Sequence, residues 1–169
     1  KVLPYDFSDI YTDEKGFVYT VSGTNSNGNL GQIRMLSPGG SNILLNCDST
    51  NFGETDSVVR LNEKVRQNFC SVTVDENGFI YALDSSYGFI YVYDNRSNLM
   101  AAFGGGRGLG NQKGTFARAN SLTYSNGRLF VSDSYNHNIT VYTETEFGRL
   151  YLTAQKYTNQ SDYASAKPY

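Results

Sequence analysis

The side chains that could do chemistry in this sequence are few and widely separated. His137 is the only histidine, and the two cysteines are Cys47 and Cys70. A zinc site would need closely spaced ligands or a second imidazole, and a Ser-His-Asp arrangement would need a serine that some motif marks as the nucleophile. The sequence offers neither, so we expect two ordinary thiols, no metal, no cofactor and no catalytic residue.

A glycine-rich stretch, GGGRGLGNQKGT from Gly104, could bind phosphate because glycine backbone amides can surround an anion. It lacks the G-x-x-x-x-G-K-[ST] spacing and does not lead from a strand into a helix. We therefore interpret it as a loop that joins two units of the fold.

Composition and charge narrow the class of partner. The 169 residues carry 14 basic and 16 acidic side chains, a formal net charge of -2, without a long run of either sign. Nucleic-acid binding or binding to an anionic membrane surface has little electrostatic basis in such a chain. No apolar stretch approaches the roughly 18–20 residues that a membrane helix needs. The lysine-poor composition, rich in asparagine and tyrosine, favours an extracytoplasmic or cell-surface location without excluding a cytoplasmic one.

One pattern occurs three times and predicts the elements that must position these side chains. Each copy has a short alternating strand, a turn that ends in glycine, and a second strand rich in aromatic and β-branched residues. The copies are DIYTDEKGFVYTVS from Asp9, SVTVDENGFIYALD from Ser71 and NSLTYSNGRLFVSD from Asn120. Asn77-Gly78 and Asn126-Gly127 are typical of type I′ turns, which predicts antiparallel hairpins.

Further strands follow each hairpin. Third strands are predicted at 32–36, 89–93 and 138–142, and fourth strands at 43–45 and 99–103. In the second strand FIYALD, both alternating sets are apolar: Phe79, Tyr81 and Leu83 on one face, Ile80 and Ala82 on the other. Antiparallel sheets that are buried on both faces are typical of β-propellers, where each blade lies between two neighbours. We therefore predict an all-β fold of about three four-stranded blades in an incomplete ring.

Two aspartates stand shortly before predicted third strands. Asp84 and Asp133 each end a second strand. An aspartate side chain at such a place can accept backbone N–H bonds in an Asx-type turn. We interpret both as turn-shaping carboxylates rather than as metal ligands or catalytic groups.

The segment GTFARANSLTYSNGRLFVSDSYNHNITVY, residues 114–142, resembles the NHL-repeat family of β-propellers. It has a G-x-F entry, a G-x-L-F/Y-V-x-D core and a D-x-x-N-x-x-I-x-V-F/Y exit. The second copy departs from this pattern, with Ser-Ser-Tyr-Gly at 85–88 where the family favours an asparagine. The resemblance implies that residues 1–142 are a partial propeller, with blades at about 5–47, 67–104 and 114–142. It also implies a fold that usually binds proteins, peptides or RNA and that only in a minority of cases acts as an enzyme.

The periodicity changes at Thr143, and residues 143–169 predict a short C-terminal α-helical tail. Apolar residues recur at spacings of three and four from Phe147 to Tyr157, and Thr143 with Glu146 forms a capping box. The stretch AQKYTNQSDYASAKPY is similar to the start of a tetratricopeptide repeat. The last blade has no evident fourth strand. We expect a fragment of a larger multidomain protein, in which the C-terminal part of a propeller precedes a truncated helical repeat.

An open array of three blades leaves two sheet faces without a neighbouring blade. We expect apolar residues such as Phe17, Tyr19 and Val21 to be exposed there. Because a contiguous exposed apolar patch indicates an interface, we predict self-association through the open blade faces.

Strand direction gathers the long loops 22–31, 48–68 and 104–118 and the second-to-third strand turns on one side of the blades, which we call the upper face. Aromatic and arginine side chains dominate recognition at protein interfaces. The predicted ligand-binding residues are Tyr87, Arg107, Arg118, Tyr135 and His137. We therefore favour a non-catalytic scaffold that binds a protein, peptide or saccharide and no nucleic acid. The alternative is a propeller-type metal-dependent lactonase or lyase, which would need carboxylate, asparagine and histidine ligands around a central metal.

Overall fold

The computed structural model describes residues 7–23, 32–44, 67–105 and 112–169. These residues form ten strands in three antiparallel sheets, followed by two helices, as the predicted fold class requires. The strands are β1 (Asp9–Thr12), β2 (Val18–Val21), β3 (Ile33–Leu36), β4 (Phe69–Val74), β5 (Ile80–Asp84), β6 (Phe89–Tyr93), β7 (Leu99–Gly104), β8 (Ala119–Ser125), β9 (Arg128–Asp133) and β10 (Asn138–Thr143). Blade 1 consists of β1–β3, blade 2 of β4–β7 and blade 3 of β8–β10.

Blade 2 is the one sheet with four strands among the described residues. The predicted strand at 99–103 is β7, and blade 3 passes from β10 toward the tail without a fourth strand, as expected. The strand predicted at 43–45 does not form within residues 43–44, and Leu45 lies outside the described residues. Asn42 makes an isolated bridge to Leu36, and its side-chain oxygen accepts a 3.4 Å hydrogen bond from Leu44 N. Ile43 N also donates to Met35 O at 2.8 Å, so the segment pairs with the end of β3 only over this short stretch.

The hairpin turns are of two kinds. Asn126 and Gly127 have φ values of 51° and 72°, which confirms the type I′ turn predicted in blade 3. The same prediction for Asn77-Gly78 is wrong, since of these two residues only Gly78 has a positive φ, of 86°. The carboxylate of Asp75 shapes this turn instead.

Asp75 Oδ1 accepts 2.9 Å hydrogen bonds from Asn77 N and Phe79 N. In blade 1, Asp13 accepts bonds of the same length from Lys15 N and Phe17 N. An aspartate five residues ahead of the second strand therefore closes a longer turn than Asn-Gly alone would make.

Hydrogen bonds between blades show how the sheets are arranged. The first strand of blade 2, β4, contacts the first strands of both neighbours, β1 and β8. Asp9 Oδ2 accepts bonds from Ser71 Oγ at 2.6 Å and Val72 N at 3.0 Å. Ser71 Oγ in turn accepts from Leu122 N at 3.2 Å. The first strands therefore lie side by side at the inner edge of the array, which is the arrangement of propeller blades around an axis.

Two apolar clusters fill the spaces between blades. Ile80 and Ala82 belong to the cluster between blades 1 and 2. Phe79, Tyr81 and Leu83 belong to the cluster between blades 2 and 3. The predicted burial of both faces of this strand is therefore confirmed.

The predicted exposure of the Phe17, Tyr19 and Val21 set is wrong. Tyr19 is 3% exposed and Val21 is fully buried, and Phe17 packs against the same cluster between blades 1 and 2. Alternation places these side chains on one face of β2, but it does not indicate which face meets the next blade. Exposed apolar side chains of the blade strands lie elsewhere, at Ile10 in blade 1 and at Ile139 and Val141 in blade 3.

The tail contains α1 (Glu146–Asn159) and the short α2 (Tyr163–Ala166). The predicted capping box at Thr143 is wrong because Thr143 pairs with Arg128 at the end of β10. Thr145 is the N-cap, and its hydroxyl accepts a 3.0 Å bond from Gly148 N. The helix cap therefore lies two residues later than the capping pattern indicated.

Helix α1 packs against the outer part of blade 2. Tyr151 OH donates to Met100 O at 3.4 Å, and Leu152 packs against the cluster between blades 2 and 3. Lys156 Nζ donates to Asn77 Oδ1 at 3.0 Å. Among the described residues, neither helix has the length and apolar character to cross a bilayer. Whether the tail begins a tetratricopeptide-like repeat stays a prediction.

Candidate binding site on the upper face

Asp133 organises the upper end of blade 3. Its Oδ1 accepts bonds from Arg118 N at 3.1 Å, Tyr135 N at 3.0 Å and Asn136 N at 3.1 Å. Its Oδ2 accepts from Ala117 N at 2.7 Å and from the Asn136 side-chain amide at 3.1 Å. One carboxylate thus joins the segment before β8 to the turn that follows β9, as predicted for a turn-shaping aspartate.

Two effects of opposite sign act on the pKa of Asp133. Burial by itself would raise the pKa, but the backbone N–H groups of Asn136, Ala117, Arg118 and Tyr135 stabilise the charged form and lower it overall. The carboxylate is therefore ionised at neutral pH, where its hydrogen bonds have the added strength of a charged acceptor.

Three predicted ligand-binding residues project from this region. Arg118 and His137 are exposed, and the side chain of Tyr135 is 71% exposed. His137 has a φ of 51°, in the left-handed region, at the end of the turn. Ser134 N donates to Arg118 O at 3.0 Å, a second bond between the two segments. Arg118, Tyr135 and His137 are therefore carried by one hydrogen-bonded backbone unit.

Tyr87 lies in the equivalent turn of blade 2 and is half-buried. The turn follows Asp84, whose Oδ1 accepts bonds from Asn68 N at 3.0 Å and Ser86 N at 2.9 Å. Burial raises the pKa of Asp84 even though these N–H donors act in the opposite direction. Asp84 is also turn-shaping, as predicted, and more deeply desolvated than a surface aspartate.

Glycines bring the two turns together. Gly105 N donates to Gly88 O at 2.8 Å, and Phe116 N donates to Gly105 O at 3.4 Å. Phe116 is 1% exposed, and a Cβ at Gly105 would lie 2.7 Å from the ring of Phe89. The turn that carries Tyr87 is therefore packed beside the segment that leads to Arg118. Arg107, the remaining predicted residue, and Cys47 lie outside the described residues, and the ligand-binding role of all five residues stays a prediction.

Sequence reasoning missed an acidic and tyrosine-rich cluster at the opposite, lower side of the blades. Tyr81 OH donates to Asp75 Oδ2 at 3.4 Å, and the Tyr81 and Tyr124 rings stack with centroids 5.9 Å apart. Burial raises the pKa of Asp75 to about 6, against the effect of its backbone donors, with smaller contributions from Glu76 and Glu144. The D-E-x-G turn, which occurs at Asp13 and again at Asp75, is the sequence signal that could have indicated a buried aspartate.

Metal-binding and thiol chemistry depend on the His, Cys, Asp and Glu side chains of the described residues. Within the part of the chain that the structure describes, no group of three or more His, Cys, Asp or Glu residues could hold a metal ion. Cys70 is a free thiol. Burial, followed by the nearby charges of Asp84 and Asp9, raises the pKa of Cys70 to about 12. A thiol with so high a pKa carries little thiolate at neutral pH.

Three antiparallel sheets whose first strands lie side by side at the inner edge define consecutive blades of a β-propeller. Residues 116–142, which include most of blade 3, match the NHL repeat family. The resemblance identified in the sequence is therefore confirmed for this blade.

Solved propeller-like structures are similar to this chain at very low sequence identity. The computationally designed Ika8 protein has a TM-score of 0.49 at 11% identity, covering 82% of this chain and 33% of its own. Virginiamycin B lyase from Staphylococcus aureus has a TM-score of 0.46 at 9% identity, covering 85% of this chain and 44% of the lyase. The computationally designed Ika4 protein has a TM-score of 0.45 at 8% identity, covering 86% of this chain and 95% of its own. The chain thus spans less than half of Ika8 or of the lyase. No curated protein matches the sequence.

Proposed function

We propose that this chain is a non-catalytic binding scaffold whose upper face binds a protein or peptide through Arg118, Tyr135 and His137, next to Tyr87. The observation that carries the proposal is the Asp133 carboxylate, which accepts hydrogen bonds from the backbone on both sides of this group. A backbone that is ordered before binding loses less conformational entropy when a ligand arrives. Exposed tyrosine and arginine side chains on such a backbone are well suited to recognition.

The same carboxylate supports binding over acid–base catalysis. Both oxygens of Asp133 accept backbone N–H bonds, and the lowered pKa makes the group a weak base. A general base needs a free lone pair and a pKa near the working pH. Asp133 has neither property.

The chemistry of the exposed group favours an acidic partner segment. The Arg118 guanidinium can bind a carboxylate with two parallel hydrogen bonds. Tyr135 offers an apolar ring with a polar hydroxyl, which suits a contact that is partly wet. We therefore propose a peptide segment that contains a carboxylate, with a saccharide as the competing outcome.

A display screen with matched variants tests the proposal. A random-peptide display library and a glycan array are screened against the intact chain, and hits are measured against Arg118→Ala/Tyr135→Ala. The control, Glu14→Ala/Lys15→Ala, changes exposed residues of the lower turn in blade 1. We expect acidic peptides that bind the wild type and the control equally and that lose about tenfold in affinity or more with the upper-face variant.

Two results would overturn this function. One is binding that the upper-face variant leaves unchanged. The other is a hit confined to the glycan array, which would replace the peptide with a saccharide ligand on the same scaffold.

The C-terminal tail connects this scaffold to the rest of a larger protein in our proposal. We infer an extracytoplasmic scaffold within a larger multidomain protein, whose helical repeat recruits another partner. Because α1 contacts blade 2 through Tyr151 and Lys156, a partner on the tail would lie against the propeller. Limited proteolysis of the parent protein that released the 143–169 segment as readily as an unattached linker would contradict that coupling.

A further inference from the structure

Strand registers define equivalent positions in the three blades. When the blades are aligned on their turn glycines, the same position near the end of each second strand pairs with an isoleucine of the third strand. These isoleucines are Ile33, Ile90 and Ile139. In blades 1 and 2 they point toward the following blade and are fully buried, whereas Ile139 in blade 3 is 66% exposed. Two residues further along the same strands, Val92 is 2% exposed and its equivalent Val141 is 47% exposed.

The opposite side of the array shows the converse. We call the face of a blade that points to the following blade its forward face, and the other its rear face. The rear faces of blades 2 and 3 present Val72 and Leu122, which are 3% and 5% exposed. The equivalent residue of blade 1 is Ile10, which is 64% exposed. Among the described residues, one forward face and one rear face therefore have no blade packed against them, and each carries the apolar residue that its equivalents bury.

A repeated hydrogen bond accompanies each buried contact. Asp9 accepts from Val72 N at 3.0 Å, and Ser71, at the equivalent position of blade 2, accepts from Leu122 N at 3.2 Å. Ser121 holds the same position in blade 3, since it pairs with Ser132 as Asp9 pairs with Val21, and it is exposed. A rear face that docked there would offer its own backbone N–H to the Ser121 hydroxyl.

We propose that the forward face of blade 3, formed by Ser121, Ile139 and Val141, binds the rear face of blade 1 of a second copy of this chain, around Ile10. Within the chain, a forward face packs against the rear face of the next blade twice, between blades 1 and 2 and between blades 2 and 3. The proposed contact would repeat this packing between two copies. It is a head-to-tail contact, which closes a ring when the rotation between copies fits and otherwise forms open chains. Ile10 N donates to Asp9 Oδ1 at 2.9 Å in the single chain. In the assembly, this N–H would instead donate to the hydroxyl of Ser121 in the other copy.

Complementary variants test the proposal through molar mass. Analytical ultracentrifugation of the wild-type chain over a concentration series should give a mass of two chains or more. Ile139→Asp and Ile10→Asp should each weaken association by at least about tenfold, because an ionised aspartate in a buried contact is strongly unfavourable. Phe147→Asp is the control: it changes a 78% exposed residue on α1 and should leave the mass unchanged.

Mixing the two variants separates this contact from any other. Ile139→Asp retains an intact rear face and Ile10→Asp an intact forward face, so an equimolar mixture should form a dimer that neither variant forms alone. Circular dichroism and thermal unfolding establish that each variant is folded. A wild type that stays monomeric at the highest concentration, or a mixture of folded variants that remains monomeric, overturns the proposal.

Discussion

The hydroxyl of Ser71 donates a 2.6 Å hydrogen bond to the carboxylate of Asp9, linking the innermost strands of two blades. The same Asp9 oxygen also accepts from Val72 N. Antiparallel hairpins hold each blade together, but the contacts between blades decide whether the sheets stack around an axis. The Asp9–Ser71 pair is therefore a direct probe of the stacking.

Replacing Asp9 with alanine should lower the free energy of unfolding by about 1.5–3 kcal/mol, the usual range for a hydrogen bond to a charged group. Urea unfolding followed by circular dichroism measures the change. Asp9→Asn should cost less because its side-chain oxygen can still accept from Val72 N. A loss near zero for Asp9→Ala would show that these hydrogen bonds do not stabilise the stacking.

The buried Asp75 should make stability depend on pH. Burial raises its pKa to about 6, so the folded protein holds the proton more tightly than the unfolded chain does. The contribution of Asp75 to the free energy of unfolding should be most favourable below about pH 4 and should decrease as the pH rises through 6. Asp75→Asn should remove this dependence, so the variant should gain stability relative to the wild type between pH 4 and 7. Parallel curves for the two proteins across that range would contradict the raised pKa.

Gly105 should tolerate no side chain. It has a φ of 91°, and an added Cβ would lie 2.7 Å from the Phe89 ring. Gly40 has a φ of 79° with open space around the same position, so it shares the backbone strain without the clash. Gly40→Ala should cost about 1–2 kcal/mol, and Gly105→Ala should cost clearly more in the same urea titration. A difference near zero would mean that the upper turns are not packed as described.

Cys70 should react slowly with alkylating reagents in the folded protein. Its pKa of about 12 leaves little thiolate at pH 8. Labelling with iodoacetamide, followed by mass spectrometry of the peptide that contains Cys70, should be at least about tenfold slower in native buffer than in urea. Equal rates under the two conditions would show that the Cys70 thiol is exposed to solvent in the folded protein, which would contradict its burial.

Particular residues show what the sequence could and could not predict. The strand FIYALD is apolar on both faces, and that pattern alone indicated the stacking of blades. The Phe17, Tyr19 and Val21 set was assigned to the wrong surroundings because alternation cannot tell a forward face from a rear face. The predicted type I′ turn at Asn77-Gly78 was wrong because the Asp75 carboxylate accepts hydrogen bonds from the turn's N–H groups, and these bonds outweigh the preference of the dipeptide. Thr143 and Thr145 are each followed directly by a glutamate, so both could cap a helix. Only the length of β10 decides that Thr145 caps α1.

The upper face was predictable only as a region. Strand direction indicated which turns share one side, and Arg118 and Tyr135 do lie on one such unit. The sequence gives no sign that five hydrogen bonds from two segments converge on Asp133, since these depend on the register between β8 and β9.

The central claim, a binding surface on the upper face, is tested most directly by NMR mapping of a peptide from the display screen. Titration should shift the backbone amide signals of residues 117–118 and 134–137. The lower-turn amides of residues 13–16 and 75–78 should stay in place. Shifts concentrated at the lower turns, or spread over the open face around Ile139, would show that the ligand binds elsewhere and that the account of this surface is wrong.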